Sequence, residues 1–127
     1  MLPHFTKHYT LEEARALLPT VRQWLEELED HQERLKALDR RVSQLITGGA
    51  DAGGPSVNQL AGTLADCKTV LQRFREYQIQ LKDLSRGLVD FPSWRDGREI
   101  FLCWEKDEDD IEFWHDLESG YAGRERL

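Results

Sequence analysis

Residues 82–124 read KDLSRGLVDFPSWRDGREIFLCWEKDEDDIEFWHDLESGYAGR, and this stretch decides the fold. Its centre, Arg98 to Trp104, is rich in aromatic and branched residues, which predicts a strand whose side chains alternate between two faces. Asp96-Gly97, just before it, is a tight-turn pair. Leu88-Val-Asp-Phe91 reads as a short strand stopped by Pro92, because proline has no N–H for a ladder. Ile111 to His115 reads as a further strand, with Glu105 to Asp110 as the loop between. Placing Trp104 opposite Ile111 sets Leu102 against Phe113 and Ile100 against His115. One face then carries Ile100, Leu102, Trp104, Ile111, Phe113 and His115. The other carries Phe101, Cys103, Glu105, Asp110, Glu112 and Trp114. A slip of one residue would mix these sets, since strand side chains alternate with period two. In this register Cys103 and His115 fall on opposite faces, which argues against a Cys–His nucleophilic pair.

Upstream of this segment the pattern is helical. Thr10-Leu-Glu-Glu13 is a capping box. From Ala14 the apolar positions run 14, 17, 21, 24, 28, 35, 38, 42 and 45, a heptad-like seam. Pro19 falls inside it and predicts a kink or a short first helix, with the main helix reaching about Ile46. Thr47-Gly-Gly-Ala-Asp-Ala-Gly-Gly54 is a turn by composition, and Pro55 suits the first turn of a second helix. That helix carries Val57, Leu60, Leu64, Cys67, Leu71, Phe74 and Leu81 on its seam, interrupted by Gln78. A short connection makes the two helices antiparallel neighbours, which sets Gln78 beside Trp24. His31 is the one seam position of the first helix that is not apolar, and it reads most simply as a seam-edge residue making one hydrogen bond. Cys67 reads as a small core residue.

These elements predict an α+β fold: a long antiparallel helical hairpin followed by a small antiparallel β-sheet. The 127 residues suit a single domain. The hairpin takes about 10–46 and 55–84, the sheet about 87–116, and a C-terminal loop 117–127. A two-helix hairpin buries little alone, so its seam must pack on the sheet, on a second copy, or on both.

Charge narrows the function classes. The net charge is −7, and Asp90 to Glu118 alone holds eleven acids against three bases. No basic stripe for phosphate binding is visible, which argues against nucleic acid. No apolar run reaches the roughly 18 residues of a membrane span, and no signal-like segment opens the chain, so a cytoplasmic location is expected. That compartment argues against a disulfide between Cys67 and Cys103. The sequence has no glycine-rich phosphate loop, no paired CxxC and no HExxH, so no cofactor and no metal site is predicted. Asp107 and Asp109 have calcium-loop spacing, but Ile111 follows where an oxygen ligand is needed, and solvated loop charge is the simpler reading.

The polar or reactive positions of interest are Asp90, Arg98, Cys103, His115 and Arg124. Cys103 reads as a half-buried strand residue or, in a site, a nucleophile or ligand. His115 ends an apolar face beside acidic residues and could serve as base or ligand. Arg124, in the ordered-looking tail Gly120-Tyr-Ala-Gly-Arg124, could pair with Asp90, Asp116 or an anionic ligand.

The chain resembles the bacterial domain-of-unknown-function family 2203. The resemblance runs through Tyr9-Thr-Leu-Glu-Glu-Ala14, Leu17-Leu-Pro19, Lys82-Asp83, Gly87-Leu-Val-Asp-Phe-Pro92, Gly97-Arg98, Leu102-Cys-Trp104, Trp114-His115 and Gly120-Tyr-Ala-Gly-Arg124. Glu105 stands where a basic residue is expected after Leu-Cys-Trp. The resemblance implies no activity. It directs attention to a pocket between the sheet and the helical hairpin that Asp90, Arg98, Cys103, His115 and Arg124 would line.

Two functions are compatible with these residues. One is a non-enzymatic homo-oligomeric assembly or adaptor module, a homodimer with a protein partner, supported by the two heptad seams. The other is a small-molecule or metal-binding protein, or an enzyme, in which Asp90 orients or ligates, His115 is base or ligand and Arg124 holds an anion. The second requires Asp90, His115 and Arg124 to lie on one side of the sheet.

Overall fold

The first helix starts where its cap dictates. Thr10 accepts a bond from the Glu13 N–H at 3.1 Å, and the Glu13 carboxylate accepts one from the Thr10 N–H at 2.9 Å. The computed structural model describes residues 2–48 and 54–127. Helix α1 spans Leu11–Thr47 and continues through Pro19 as one element. Its buried residues are Ala14, Leu18, Val21, Trp24, Leu25 and Leu28 in the first half, and Leu38 alone beyond them. The expected glycine turn lies mostly in 49–53, outside the described residues. Helix α2 spans Pro55–Tyr77, with Pro55 in its first turn as expected. No described helix is long and apolar enough to cross a membrane.

Helix α2 is shorter than its apolar spacing predicts. It ends at Tyr77 because Gln78 turns left-handed (φ 56°) and closes the last turn onto the carbonyls of Phe74 and Arg75. The Gln78 side chain does not reach the Trp24 indole. Its Oε1 accepts from the Thr6 and Lys7 N–H groups, both at 2.9 Å, and its Nε2 donates to Thr6 Oγ1. Trp24 instead sets its ring edge-to-face with Phe74 and Tyr77, at 5.1 and 5.2 Å between centroids. His31 is half-buried, and its Nδ1 is buried without a hydrogen-bond partner among the described residues.

Five antiparallel strands follow in simple sequential order: β1 Gln80–Asp83, β2 Leu88–Arg95, β3 Arg98–Trp104, β4 Phe113–Asp116 and β5 Glu125–Arg126. Asp96 and Gly97 both take positive φ (51° and 77°), the two-residue turn whose twist suits a hairpin. Gly87 is constrained on two counts: its φ is 62°, and a Cβ there would lie 2.7 Å from the Lys106 Cβ. Strand β2 does not stop at Pro92. The Pro92 carbonyl points away from β3 and accepts from the Tyr9 N–H at 2.8 Å. Its missing N–H therefore faces a side where β1 has already ended, at the Gln80–Asp90 pair.

The N-terminal segment is tied to this hairpin. Glu99 accepts from the N–H groups of His4 and Phe5 at 2.7 and 3.1 Å, with His8 Nε2 at 2.9 Å. Burial opposes ionisation of Glu99, but these donors outweigh it and hold the carboxyl down at about 2.

The β3–β4 register is one residue away from the predicted one. Leu102 pairs with Trp114, Phe101 with His115 and Cys103 with Phe113. Ile111 is the cause. It is fully buried but sits in the loop, not in the strand. Asp110 Oδ1 accepts its N–H at 2.8 Å and Arg15 donates to its carbonyl at 3.0 Å, so its backbone is satisfied without a ladder partner. The strand then begins at Phe113, and the alternation flips. Val89, Phe91, Ile100, Leu102, Trp104 and Trp114 join α1 and α2 in the core. Asp90, Cys103, Phe101 and His115 fall on the face turned away from the helices.

Candidate functional site

Neighbouring strands each supply one side chain to this outer face. Asp90 on β2 is the cross-strand partner of Cys103 on β3, and His115 on β4 is paired with Phe101, two residues from Cys103 on the same face. All three are buried: Asp90 and His115 are 2% exposed and Cys103 is 0% exposed. Their oxygen, sulfur and nitrogen donor atoms all lie within 4.8 Å of one another. Above them is a cavity of about 290 Å³. Lys82, Leu88 and Phe101 flank it, and Leu117, Glu118, Gly120 and Tyr121 form its roof.

His115 is held at both nitrogens. Nδ1 is 2.6 Å from the Asp116 carbonyl oxygen, which can only accept, so Nδ1 carries a proton. Nε2 is 3.0 Å from Asp90 Oδ1. Burial disfavours a charged imidazole here. The bonds to Asp90, Cys103 and the Asp116 carbonyl outweigh it and raise the group well above its ordinary range. The arrangement is not a nucleophile relay, in which one ring nitrogen faces the carboxylate and the other the thiol. Asp90 engages the same nitrogen that is left for Cys103.

The roof is fastened by the acidic loop. Arg124 donates to both carboxylate oxygens of Glu108, at 3.2 and 2.9 Å. It lies between the rings of Phe113 and Tyr121, at 3.9 and 4.3 Å to their centroids. Its Nη1 is 3.9 Å from Cys103 Sγ. The Tyr121 hydroxyl donates to Glu105, which also accepts from Arg86 Nε at 2.8 Å. Burial lowers the Arg124 pKa in isolation, while Glu108 and Cys103 raise it further, so its charge is secure.

Several expectations are corrected by this geometry. The site residues lie opposite the helical hairpin, not between hairpin and sheet, because the register places their side chains there. Cys103 and His115 share a face, where the predicted register set them on opposite ones. Arg124 pairs with Glu108 instead of Asp90 or Asp116. Glu105 and Glu108 are fasteners and not merely solvated loop charge, and Glu105 receives Arg86 and Tyr121 where a basic residue was expected. Arg98 stays out of the site: it shares the alternation of Ile100 and Leu102, is 64% exposed and lies 3.6 Å from Asp116 Oδ1. Asp90, Cys103 and His115 converge as ligand candidates, with Arg124 beside them on the same side of the sheet.

Sequence reasoning missed Lys82, Glu118 and Tyr121. Lys82 stood only in the Lys82-Asp83 resemblance, within a segment that reads as helix; its Nζ lies 5.2 Å from the Phe101 ring centroid. Tyr121 had a signal, as the aromatic of the glycine-flanked tail.

A family model described as "Uncharacterized conserved protein (DUF2203)" matches residues 7–127. The chain belongs to the DUF2203 family. No curated protein and no solved structure matches it. The stretches through which the chain resembles DUF2203 supply the site: Asp90 comes from Gly87–Pro92, Cys103 from Leu102–Trp104, His115 from Trp114-His115, and Tyr121 with Arg124 from the tail.

Proposed function

We propose that this protein binds a small polar molecule in the cavity over Asp90, Cys103 and His115. The observation that carries the reading is the convergence of three buried polar side chains from three adjacent strands beneath that cavity. Burying polar groups is costly, and an apolar patch would cover the sheet at lower cost. Perturbed, buried ionisable groups beside a cavity are the usual pattern of a binding site. A cavity of about 290 Å³ sits at the small end of ligand pockets. Lys82 and Glu118 offer one charge of each sign at its edge, so the ligand has hydrogen-bonding or charged groups at more than one point. Asp90 orients His115, and Arg124 positions the roof and the thiol. The free thiols of Cys67 and Cys103 suit a reducing compartment, and we place the protein in the cytoplasm.

The test is an amide NMR spectrum recorded against a library of small polar fragments. Shifts clustered at Lys82, Cys103, His115 and Tyr121 are expected. A library that perturbs none of these residues overturns the reading.

A second reading, homodimer assembly, is favoured by α2. Val57, Leu64 and Leu71 lie one heptad apart and are 40, 49 and 45% exposed, so this stripe of the predicted seam is left uncovered by α1. A second copy covering it would need to bury roughly 1,000 Å² or more in total. Light scattering at micromolar concentration is expected to give a dimer that Leu64→Asp converts to monomer. A wild-type monomer rules this assembly out.

A further inference from the structure

We infer that Asp90, Cys103 and His115 form a three-ligand site for a borderline-soft divalent cation of the zinc type, with its open position facing the cavity. The inference rests on the cavity being a binding site and names what sits at its base. Among the described residues this is the one group of three metal-capable side chains whose donor atoms converge. It offers one oxygen, one nitrogen and one sulfur. A thiol and an imidazole select zinc-like ions over calcium or magnesium, which take oxygen ligands.

The distances suit such an ion. Bonds of about 2.0–2.3 Å to these donors give a tetrahedron with edges of roughly 3.3–3.8 Å. Nε2 of His115 and Oδ1 of Asp90 are already 3.0 Å apart, and no donor pair exceeds 4.8 Å. Closing a gap of up to 4.8 Å needs about 1–1.5 Å of side-chain movement, shared between the two donors. The three residues stand on paired strands, so their backbones are fixed in advance.

The surroundings are those a metal ligand set requires. The Asp116 carbonyl holds Nδ1 of His115 and leaves Nε2 to face the centre, the usual support for a ligating imidazole. Arg124, itself locked by Glu108, lies 3.9 Å from Sγ and adds a fixed donor beside it. A carboxylate, a thiolate and a divalent cation sum to a neutral buried centre. On binding, the cation takes the place of the proton between Nε2 and Oδ1 and of the thiol proton. With three protein ligands the fourth position is left toward the cavity, where water or a donor atom of the bound molecule completes it.

Cobalt(II) titration of the metal-stripped full chain tests this. One equivalent is expected to bind, with thiolate-to-cobalt charge transfer in the near ultraviolet and the strong visible bands of four-coordinate cobalt. Both are expected to disappear in Cys103→Ser and to persist in Cys67→Ser. A wild-type spectrum that stays that of hydrated cobalt, or a charge-transfer band unchanged by Cys103→Ser, overturns the metal site. The wild-type spectrum decides even if a variant folds poorly. Fragment binding without cobalt binding sinks the metal site and leaves the cavity reading standing; loss of both sinks both.

Discussion

Asp90→Ala is expected to lower the stability of the metal-free protein by about 3–5 kcal/mol, the cost of leaving one partner of a buried ion pair alone. Asp90 and His115 are each 2% exposed and 3.0 Å apart, so the pair is largely desolvated. A domain of this size has only about 5–15 kcal/mol in hand, so the variant approaches the limit of folding. Urea denaturation checks this through a lower midpoint at unchanged slope. The paired replacement Asp90→Val with His115→Phe removes both charges and is expected to recover most of the loss, since an apolar pair of similar volume often serves stability as well as a buried ion pair. A loss below about 1 kcal/mol in the single variant would show that the two side chains do not form an ion pair.

Trp104→Ala is expected to cost about 3–5 kcal/mol, in the range for a large aromatic deleted from a core. Trp104 is fully buried and belongs to the cluster shared by sheet and helices. Its effect should spread further than its volume. The Trp104 indole N–H donates to the Glu108 carbonyl at 2.9 Å, and the Arg22 guanidinium lies over its ring at 4.7 Å while donating to the Lys106 and Glu108 carbonyls. Trp104 therefore holds the acidic loop against α1, and Glu108 in that loop holds Arg124 at the site. In the NMR spectrum, Trp104→Phe should retain most of the core and yet shift the resonances of Arg124 and Tyr121. If those resonances stay in place, the loop is fastened by other contacts.

Much of the fold was legible because its signals are local. The Thr10–Glu13 cap, Pro55 in the first turn of α2, the Asp96-Gly97 turn and the aromatic and branched run from Arg98 to Trp104 each act within a few residues, and each is found as read. The end of α2 was not legible, since the apolar spacing through Leu81 continues a helical pattern. What stops the helix there is Gln78 bonding to Thr6 and Lys7, a contact some seventy residues distant in sequence. Pro92 misled for a related reason: a proline ends a strand only if a partner needs its N–H, and the neighbouring edge is decided by β1.

By itself the sequence determined an α+β chain with two helices before an antiparallel sheet, its membership of a family, and a segment holding the reactive residues. Only the tertiary structure decided which of those residues meet. A strand's side chains alternate every residue, so the site depends on a register that a single residue reverses. That register is set by Ile111, held in the loop by its neighbour Asp110 and by Arg15 from the far end of the chain. With it, Asp90, Cys103 and His115 gather on one face, and Arg98 is left outside. Caps and turns are written into short stretches of chain, whereas this register follows from where a buried side chain finds room in the core.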